Sequence, residues 1–343
     1  MLYYGMDIHK EYSYYCEMDE AGKVLGEGKI PNTREAIREV ISPGAKVGIE
    51  ATCNWYYLFD LIEERADEVI LAHPLRTRAI AEARIKTDKI DATTLAHLLR
   101  ASLLPKAYIS PRRVREEREL FRYRASLVGL RTSLKNKVHG ILLKRGLSCP
   151  YKDAFGKAGR VWLRGVKLED TFRQALDGYL ELIEAVDKKV EESEKEIEQR
   201  VKANPQAMLL DSLPGVGYYT ALLIVSEIGE ISRFPDSSHL ASYAGLVPSV
   251  HSSGGKTRYG HITKEGSAWL RWALIEAAHG AVRSSAYFRS YHDKLARRRG
   301  DKRAIVGVAR RMVEIIYAML RDNKTYEEKR DTSLGNMAQV EAS

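Results

Sequence analysis

At 343 residues the chain is long enough for two domains or more, each with its own apolar core. It holds 55 Lys and Arg against 46 Asp and Glu, a formal net charge of +9, which favours polyanions such as nucleic acid over neutral small substrates. Its three cysteines, Cys16, Cys53 and Cys149, lie far apart with no CxxC pair or His cluster beside them, which argues against zinc and a disulfide framework.

The amino terminus has no basic segment leading into a long apolar run, and no stretch approaches the roughly eighteen apolar residues of a membrane span, so a cytoplasmic protein is expected. The first elements predicted are three strands, Leu2 to Ile8, Tyr12 to Met18 and Val24 to Ile30, forming an antiparallel meander. Asn32 with Glu35 reads as a capping box opening a helix that runs to about Ile41. A strand over Lys46 to Glu50, a helix over Trp55 to Arg65 and a strand over Glu68 to Ala72 follow, then helices over Leu75 to Arg84 and Lys89 to Arg100. The order βββαβαβα is that of an RNase H-like mixed sheet with helices on both faces.

From Arg112 to Arg145 one long helix is expected, with eleven Lys or Arg against three Glu. Arg112, Arg113, Arg115, Arg118, Arg122, Arg124, Arg131, Lys135 and Lys137 are its candidate nucleic-acid contacts. Gly146 to Gly165 reads as an irregular break. From Leu176 onward, Tyr179, Ile183, Val186, Val190 and Ile197 recur at alternating steps of three and four, a coiled-coil-like seam that fits an intramolecular hairpin or a dimer contact. A second globular, mainly helical unit begins near Met208, and a polar tail frays after Tyr326. The expected divisions are 1–105, a connector over 106–205, a third region over 206–326 and a flexible tail over 327–343.

Four carboxylates stand out. Asp7 lies near the end of the first strand and Glu50 closes the fourth, which makes them neighbours if those strands pair, and Asp88 and Asp91 share a face at a helix start. Converging acids of this kind suit Mg²⁺ or Mn²⁺ bound through oxygen, although first-turn acids also favour a helix amino terminus with no metal at all. In the second half Leu213 to Gly217, LPGVG, resembles the hairpin of a helix-hairpin-helix element, where Gly215 and Gly217 let backbone approach a phosphate; a plain tight turn is the alternative. Ala244 to Gly266 reads as a basic loop. It offers Ser252 and Ser253 as nucleophiles and His251, Lys256, Arg258, His261 and Lys264 as charge stabilisers, or else it is a solvated flexible segment. The run Arg297, Arg298, Arg299, Lys302 and Arg303 fits phosphate contact and a solvated turn equally.

GMDIHK at Gly5 to Lys10, IEAT at Ile49 to Thr52, KTDKIDA at Lys86 to Ala92, LPGVG, and the stretch Ala241 to Trp272 together resemble the DEDD transposases of the insertion-sequence-110 family, related to the Piv-like DNA invertases. The resemblance covers most of the chain. It implies a RuvC-like domain whose acids, Asp7, Glu50, Asp88 and Asp91, bind Mg²⁺. It also implies a coiled-coil connector and a transposase domain whose nucleophilic serine is Ser253, with Ser252 beside it as the other choice. Such enzymes cut and rejoin donor and target double-stranded DNA through a phosphoserine link. They act as a homo-oligomer, dimer or tetramer, with a composite centre across protomers and a structured bridge RNA as guide, in the cytoplasm at the nucleoid. The competing expectation is a metal-dependent endonuclease of the Holliday-junction-resolvase type, which uses the acids and water and leaves Ser253 idle. A scaffold that binds nucleic acid without chemistry is a third.

Overall fold

The computed structural model describes residues 1–50, 54–80, 87–253 and 256–327, with backbone alone at Ser253, Lys256 and Thr257. Cys53, positions 81–84 of the helix expected over Leu75 to Arg84, and the expected tail from residue 328 lie outside the described residues. The chain divides into two compact units, Met1–Ser110 and Pro111–Ser343, so that positions 111–205 of the stretch expected as a connector group with the residues after them.

In the first unit β1 (Tyr3–Ile8), β2 (Tyr12–Met18), β3 (Val24–Pro31), β4 (Lys46–Glu50) and β5 (Glu68–Ala72) form one sheet in the order β3-β2-β1-β4-β5. β1 pairs antiparallel with β2 and parallel with β4, and β5 runs parallel to β4. The helices α1 (Arg34–Val40), α2 (Trp55–Glu63), α3 (Pro74–Ile80) and α4 (Asp88–Arg100) complete the mixed α/β unit, compatible with the expected RNase H-like fold.

Strand alternation sorts the two faces. Tyr4, Met6 and Ile8 of β1 and Val47 and Ile49 of β4 pack with Ile37 of α1 and with Leu58, Leu61 and Ile62 of α2. The intervening positions, Gly5 and Asp7 on β1 and Gly48 and Glu50 on β4, face the other way, towards α4. The capping box at Asn32 does not form. Thr33 is the N-cap of α1 and its hydroxyl accepts from the Ala36 amide, because the Asn32 side chain is engaged elsewhere.

The second unit is built from α5 (Arg112–Lys144), α6 (Lys157–Gly165), α7 (Asp170–Lys202), α8 (Pro205–Asp211), α9 (Tyr218–Ile228), a short 3₁₀ turn, and α10 (Ser237–Tyr243). The strands β6 (Pro248–Ser253) and β7 (Lys256–Ile262) follow, then α11 (Ala268–Ser284), α12 (Ala286–Arg299) and α13 (Asp301–Asp322). α6 replaces part of the expected irregular break. Its glycines hide it in the sequence, yet Gly159 is where a Cβ would come within 2.4 Å of the Ala154 carbonyl oxygen, and Leu163 is fully buried.

The heptad-like seam is satisfied within the chain. Leu176, Leu180, Ile183, Val186 and Val190 of α7 bury against Leu134, Val138, Ile141 and Leu142 of α5. Arg124 meets Glu194 at 2.5 Å and Arg131 meets Asp187 at 3.1 Å, so seven residues forward in α5 corresponds to seven back in α7. That is an antiparallel helix pair. The larger core gathers α8 to α13, with Ile305, Val308, Met312, Val313 and Ile316 of α13 buried among residues of α10, α11 and α12.

The segment read as a basic loop is a β-hairpin instead: His251 pairs with Arg258, Ser252 with Thr257 and Ser253 with Lys256. Only two residues, Gly254 and Gly255, separate the strands in sequence, a strong short hairpin signal that outweighs the loop-like composition.

Candidate metal and strand-transfer sites

Asp7 and Glu50 come together through β-sheet register. Met6 pairs with Ile49 across the parallel β1–β4 ladder, so the next residues, Asp7 near the end of β1 and Glu50 at the end of β4, stand side by side and share a face. Each acid stands two residues after a glycine, Gly5 and Gly48, on that same face. A Cβ on Gly5 would come within 2.0 Å of the Ala92 carbonyl oxygen and 2.4 Å of the Ala96 amide nitrogen, and one on Gly48 within 2.9 Å of Leu104 Cδ2. The bare backbone lets α4 lie against the sheet. Thr87 caps that helix, its hydroxyl accepting from the Ile90 amide, and the first turn carries Asp88 and Asp91.

The link between strand and helix is His9, two residues beyond Asp7. Its Nε2 lies 3.2 Å from Asp7 Oδ2 and 3.2 Å from Asp88 Oδ2. The tight β1–β2 turn that presents it is held from both sides: Asn32 donates to the His9 carbonyl oxygen at 2.8 Å, and Asn54 donates to the same atom at 2.9 Å. Ser13 donates to the Asn32 oxygen at 2.6 Å. The Tyr12 hydroxyl donates to Asp88 Oδ2 at 3.0 Å. His9, Tyr12, Asn32 and Asn54 do not stand out as site residues in the sequence. For His9 a signal is there, since period-two alternation places residue 9 on the face of residue 7.

The electrostatics divide the acids. Burial pushes the Asp7 carboxyl above its ordinary range; His9 opposes that, while Glu50, Asp88 and Asp91 all add to it. Asp88 is held below its ordinary range, first by the Tyr12 hydroxyl and also by His9. The four predicted acids thus share one region: Asp7 and Asp88 meet through His9, and Glu50 and Asp91 are near enough to disfavour charge on Asp7. A divalent cation fits here. Ligand atoms of Asp7, His9 and Asp88 lie within 4.8 Å of one another, and a divalent cation would relieve the repulsion among these partly buried carboxylates.

The second unit carries the serine candidates. The backbone of Ser253 ends β6 opposite Lys256, and the side chains of both lie outside the described residues. Ser252, His251, Arg258 and Tyr259 are exposed. The hairpin is pinned at its base. Gly245 (φ +66°) and Gly266 (φ +78°) have left-handed backbone, and Cβ atoms there would come within 2.4 Å of the Glu265 carbonyl oxygen and 2.1 Å of that of Tyr243. Just beyond, Ser267 caps α11 and donates to Glu227 Oε2 at 2.9 Å.

Several of the cations expected to contact nucleic acid have partners within the chain. Arg115 and Arg118 are buried. Arg118 donates to the carbonyl oxygens of Ser226 and Glu227 and stands 3.5 Å from Glu227 Oε1, so its charge is used inside the protein. Arg112 pairs with Glu116, Arg113 with Glu117, Arg122 with Glu119, Arg124 with Glu194 and Arg131 with Asp187. The apparent basic stripe is thereby mostly neutralised; Lys135 and Lys137 lie over the rings of Phe155 and Tyr179. Gly215 (φ +82°) serves packing: a Cβ there would stand 2.2 Å from the Ala277 carbonyl oxygen on α11. Gly217, the N-cap of α9, faces open space.

Two family models match the chain: a DEDD transposase model of the IS110 type, described as "Transposase", over residues 4–145, and "Transposase IS116/IS110/IS902 family" over residues 207–293. The first span contains all four acids and the second contains Gly215, Ser253 and Arg258. The chain is 29% identical to the transposase for insertion sequence element IS1111A of Coxiella burnetii, over 94% of this chain and 90% of the relative. It is 26% identical to an uncharacterized protein of insertion element IS110 from Streptomyces coelicolor, over 96% of each chain. It is also 32% identical to the pilin gene-inverting protein of Moraxella bovis, over 37% of this chain and 40% of that one. No described helix is long and apolar enough to cross a membrane.

Proposed function

We propose that this chain, whose family-model matches and full-length relatives are those of IS110-type transposases, cuts and rejoins DNA strands with two sets of groups, the acids of the first unit and a serine of the β6–β7 hairpin. The observation that carries the reading is the meeting of Asp7 and Asp88 on His9 Nε2, 3.2 Å from each, at strand ends where register makes Glu50 the neighbour of Asp7. Asp7, Glu50, Asp88 and Asp91 would hold Mg²⁺, or Mn²⁺ in its place, and the bound cation supplies charge neutralisation at a phosphoryl oxygen. Tyr12 and His9 hold the Asp88 carboxylate in position, and the Asn32 and Asn54 side chains fix the turn that carries His9.

Ser253 is the nucleophile in this reading, supported by the family resemblance and by its place at the end of a hairpin whose base is pinned at Gly245 and Gly266. Its hydroxyl oxygen bonds to the scissile phosphorus as the bond from phosphorus to a deoxyribose oxygen breaks. The serine proton leaves to a base and the departing sugar oxygen gains one. The phosphodiester becomes a phosphoserine diester, so a second sugar hydroxyl can reverse the step and join a new strand. The exposed His251 and Arg258, one register pair below Ser252, stand ready to contact flanking phosphates. A structured guide RNA from the same element, read by pairing rather than by protein side chains, would choose donor and target.

Covalent trapping tests this. The full chain is mixed with Mg²⁺, element RNA and nicked donor or target DNA, and a denaturation-resistant protein–DNA adduct is sought. The expected adduct disappears with Ser253→Ala and with Asp7→Ala and persists with Ser252→Ala. Cleavage without an adduct, unchanged by Ser253→Ala, overturns the serine step in favour of hydrolysis by the acids and water.

A further inference from the structure

The cations expected to meet nucleic acid along α5 are largely paired or buried, but those at the turn from α12 into α13 are not. Residues 297–303, RRRGDKR, are all exposed. The helices reverse at Gly300, whose φ of +80° a side chain would resist. They close tightly behind the turn, where a Cβ on Gly307 would come within 2.5 Å of Leu295 Cδ1. The two nearby acids are engaged with a buried histidine: His292 Nδ1 lies 3.1 Å from Asp293 and Nε2 lies 3.1 Å from Asp301. Arg297, Arg298, Arg299, Lys302 and Arg303 therefore present five cations, none with a carboxylate of a described residue within 4.0 Å. Elsewhere the chain neutralises a comparable run: on α5 the same density of arginine is matched by Glu116, Glu117, Glu119, Asp187 and Glu194.

We propose that the α12–α13 tip is a docking point for the sugar–phosphate backbone of double-stranded DNA, using neither the acids nor the serine hairpin. Five like charges against one acid, Asp301, within seven residues repel one another unless further anions come among them. A nucleic-acid backbone offers anions at matching spacing, and its displaced counterions drive the association. The turn is held at Gly300 and behind it by helix packing, so little order has to be gained on binding. The inference rests on the reading that this chain works on nucleic acid; it adds where the backbone is gripped. The similarity to transposases favours duplex DNA as the occupant, and RNA, which shares the phosphate chemistry, is the competing outcome of the test.

The test follows anisotropy of a labelled DNA duplex and, separately, a labelled RNA stem-loop, with the full chain across a salt series. One variant combines Arg298→Gln, Arg299→Gln and Lys302→Gln; another carries Arg298→Lys and Arg299→Lys. The Gln variant is expected to bind about tenfold or more weaker at low salt and to lose roughly 2 to 3 from the slope of log affinity against log salt, near 0.9 for each phosphate no longer neutralised. The Lys variant keeps the slope. Loss with the duplex, whether or not the stem-loop is also lost, is the expected result, and loss with the stem-loop alone overturns DNA as the occupant. Unchanged affinity and slope in the Gln variant, with the parent chain still binding, overturns the proposal and leaves the transposase reading standing. A parent chain that binds neither probe overturns both.

Discussion

Gly5 of β1 lies directly against Ala92 of α4, with room for hydrogen and nothing larger: a Cβ at residue 5 would stand 2.0 Å from the Ala92 carbonyl oxygen. Because α4 carries Asp88 and Asp91, this contact sets how far those acids stand from Asp7. Gly5→Ala is expected to destabilise the first unit by about 1–3 kcal/mol through overpacking, and to reduce strand cleavage more than its loss of folded protein explains. Thermal melting and cleavage assays on the same preparation check this. Parental melting and parental activity together would show that α4 does not depend on the glycine.

Asp7 is disfavoured as a charge in the folded state, by burial first and by Glu50, Asp88 and Asp91 as well. Its folded pKa is raised above the unfolded value, the reverse of the usual carboxylate case. The folded chain therefore holds that proton more tightly than the unfolded one, and stability contributed by protonated Asp7 is lost as pH rises through its raised folded pKa. Without divalent cation at neutral pH, Asp7→Asn is expected to melt higher than the parent while giving no strand cleavage. Mg²⁺ should raise the melting temperature of the parent and not that of the variant. A variant that melts lower than the metal-free parent would contradict the burial argument.

Asp187 behaves the other way. Burial alone would raise its pKa, but hydrogen bonds from Arg160 and Arg131 outweigh burial and hold it down. A depressed folded pKa gives stability present above the unfolded value and lost as pH falls through the folded one. Asp187→Asn is expected to cost about 1–2 kcal/mol near neutrality, on the scale of charged hydrogen bonds that are partly solvent-screened. The gap between variant and parent should shrink below about pH 4. Melting curves at a series of pH values measure it, and a gap independent of pH would mean that the ion pairs contribute nothing.

Arg118 separates structural from nucleic-acid-binding arginine. It is buried against Ser226 and Glu227, so Arg118→Ala leaves the buried Glu227 without its cation, a loss of about 3–5 kcal/mol. The salt slope of DNA affinity in the protein that remains folded is expected to stay at the parental value. A flattened slope with unchanged melting would return Arg118 to the nucleic-acid surface.

Much of the first unit is readable from sequence because its sheet buries one face against helices, and strand alternation leaves a period of two that few registers satisfy. Asp7 and Glu50 are legible for the same reason, each being the first acid after a glycine on the side turned towards α4. Asn32 misleads because two structures compete for it: as an N-cap it would satisfy one amide, whereas in the fold it ties Ser13 and the His9 carbonyl together while neighbouring Thr33 caps the helix. His9 is harder to read, because its position between two carboxylates depends on α4 folding back across the sheet.

The sequence by itself determined the order of elements, the acids at strand and helix ends, the seam of α7 and the resemblance to a transposase family, since local periodicity, caps and motif spacing are written in neighbouring residues. Only the tertiary structure decided which charges face solvent. Arg118 and Arg299 are the same residue type in equally basic runs, yet one is buried on the Ser226 and Glu227 carbonyls and the other stands exposed at a helix turn. Whether a guanidinium is spent inside the protein or offered to a partner depends on which carboxylates and carbonyls the fold brings within a few ångströms of it, and those come from residues about a hundred positions away.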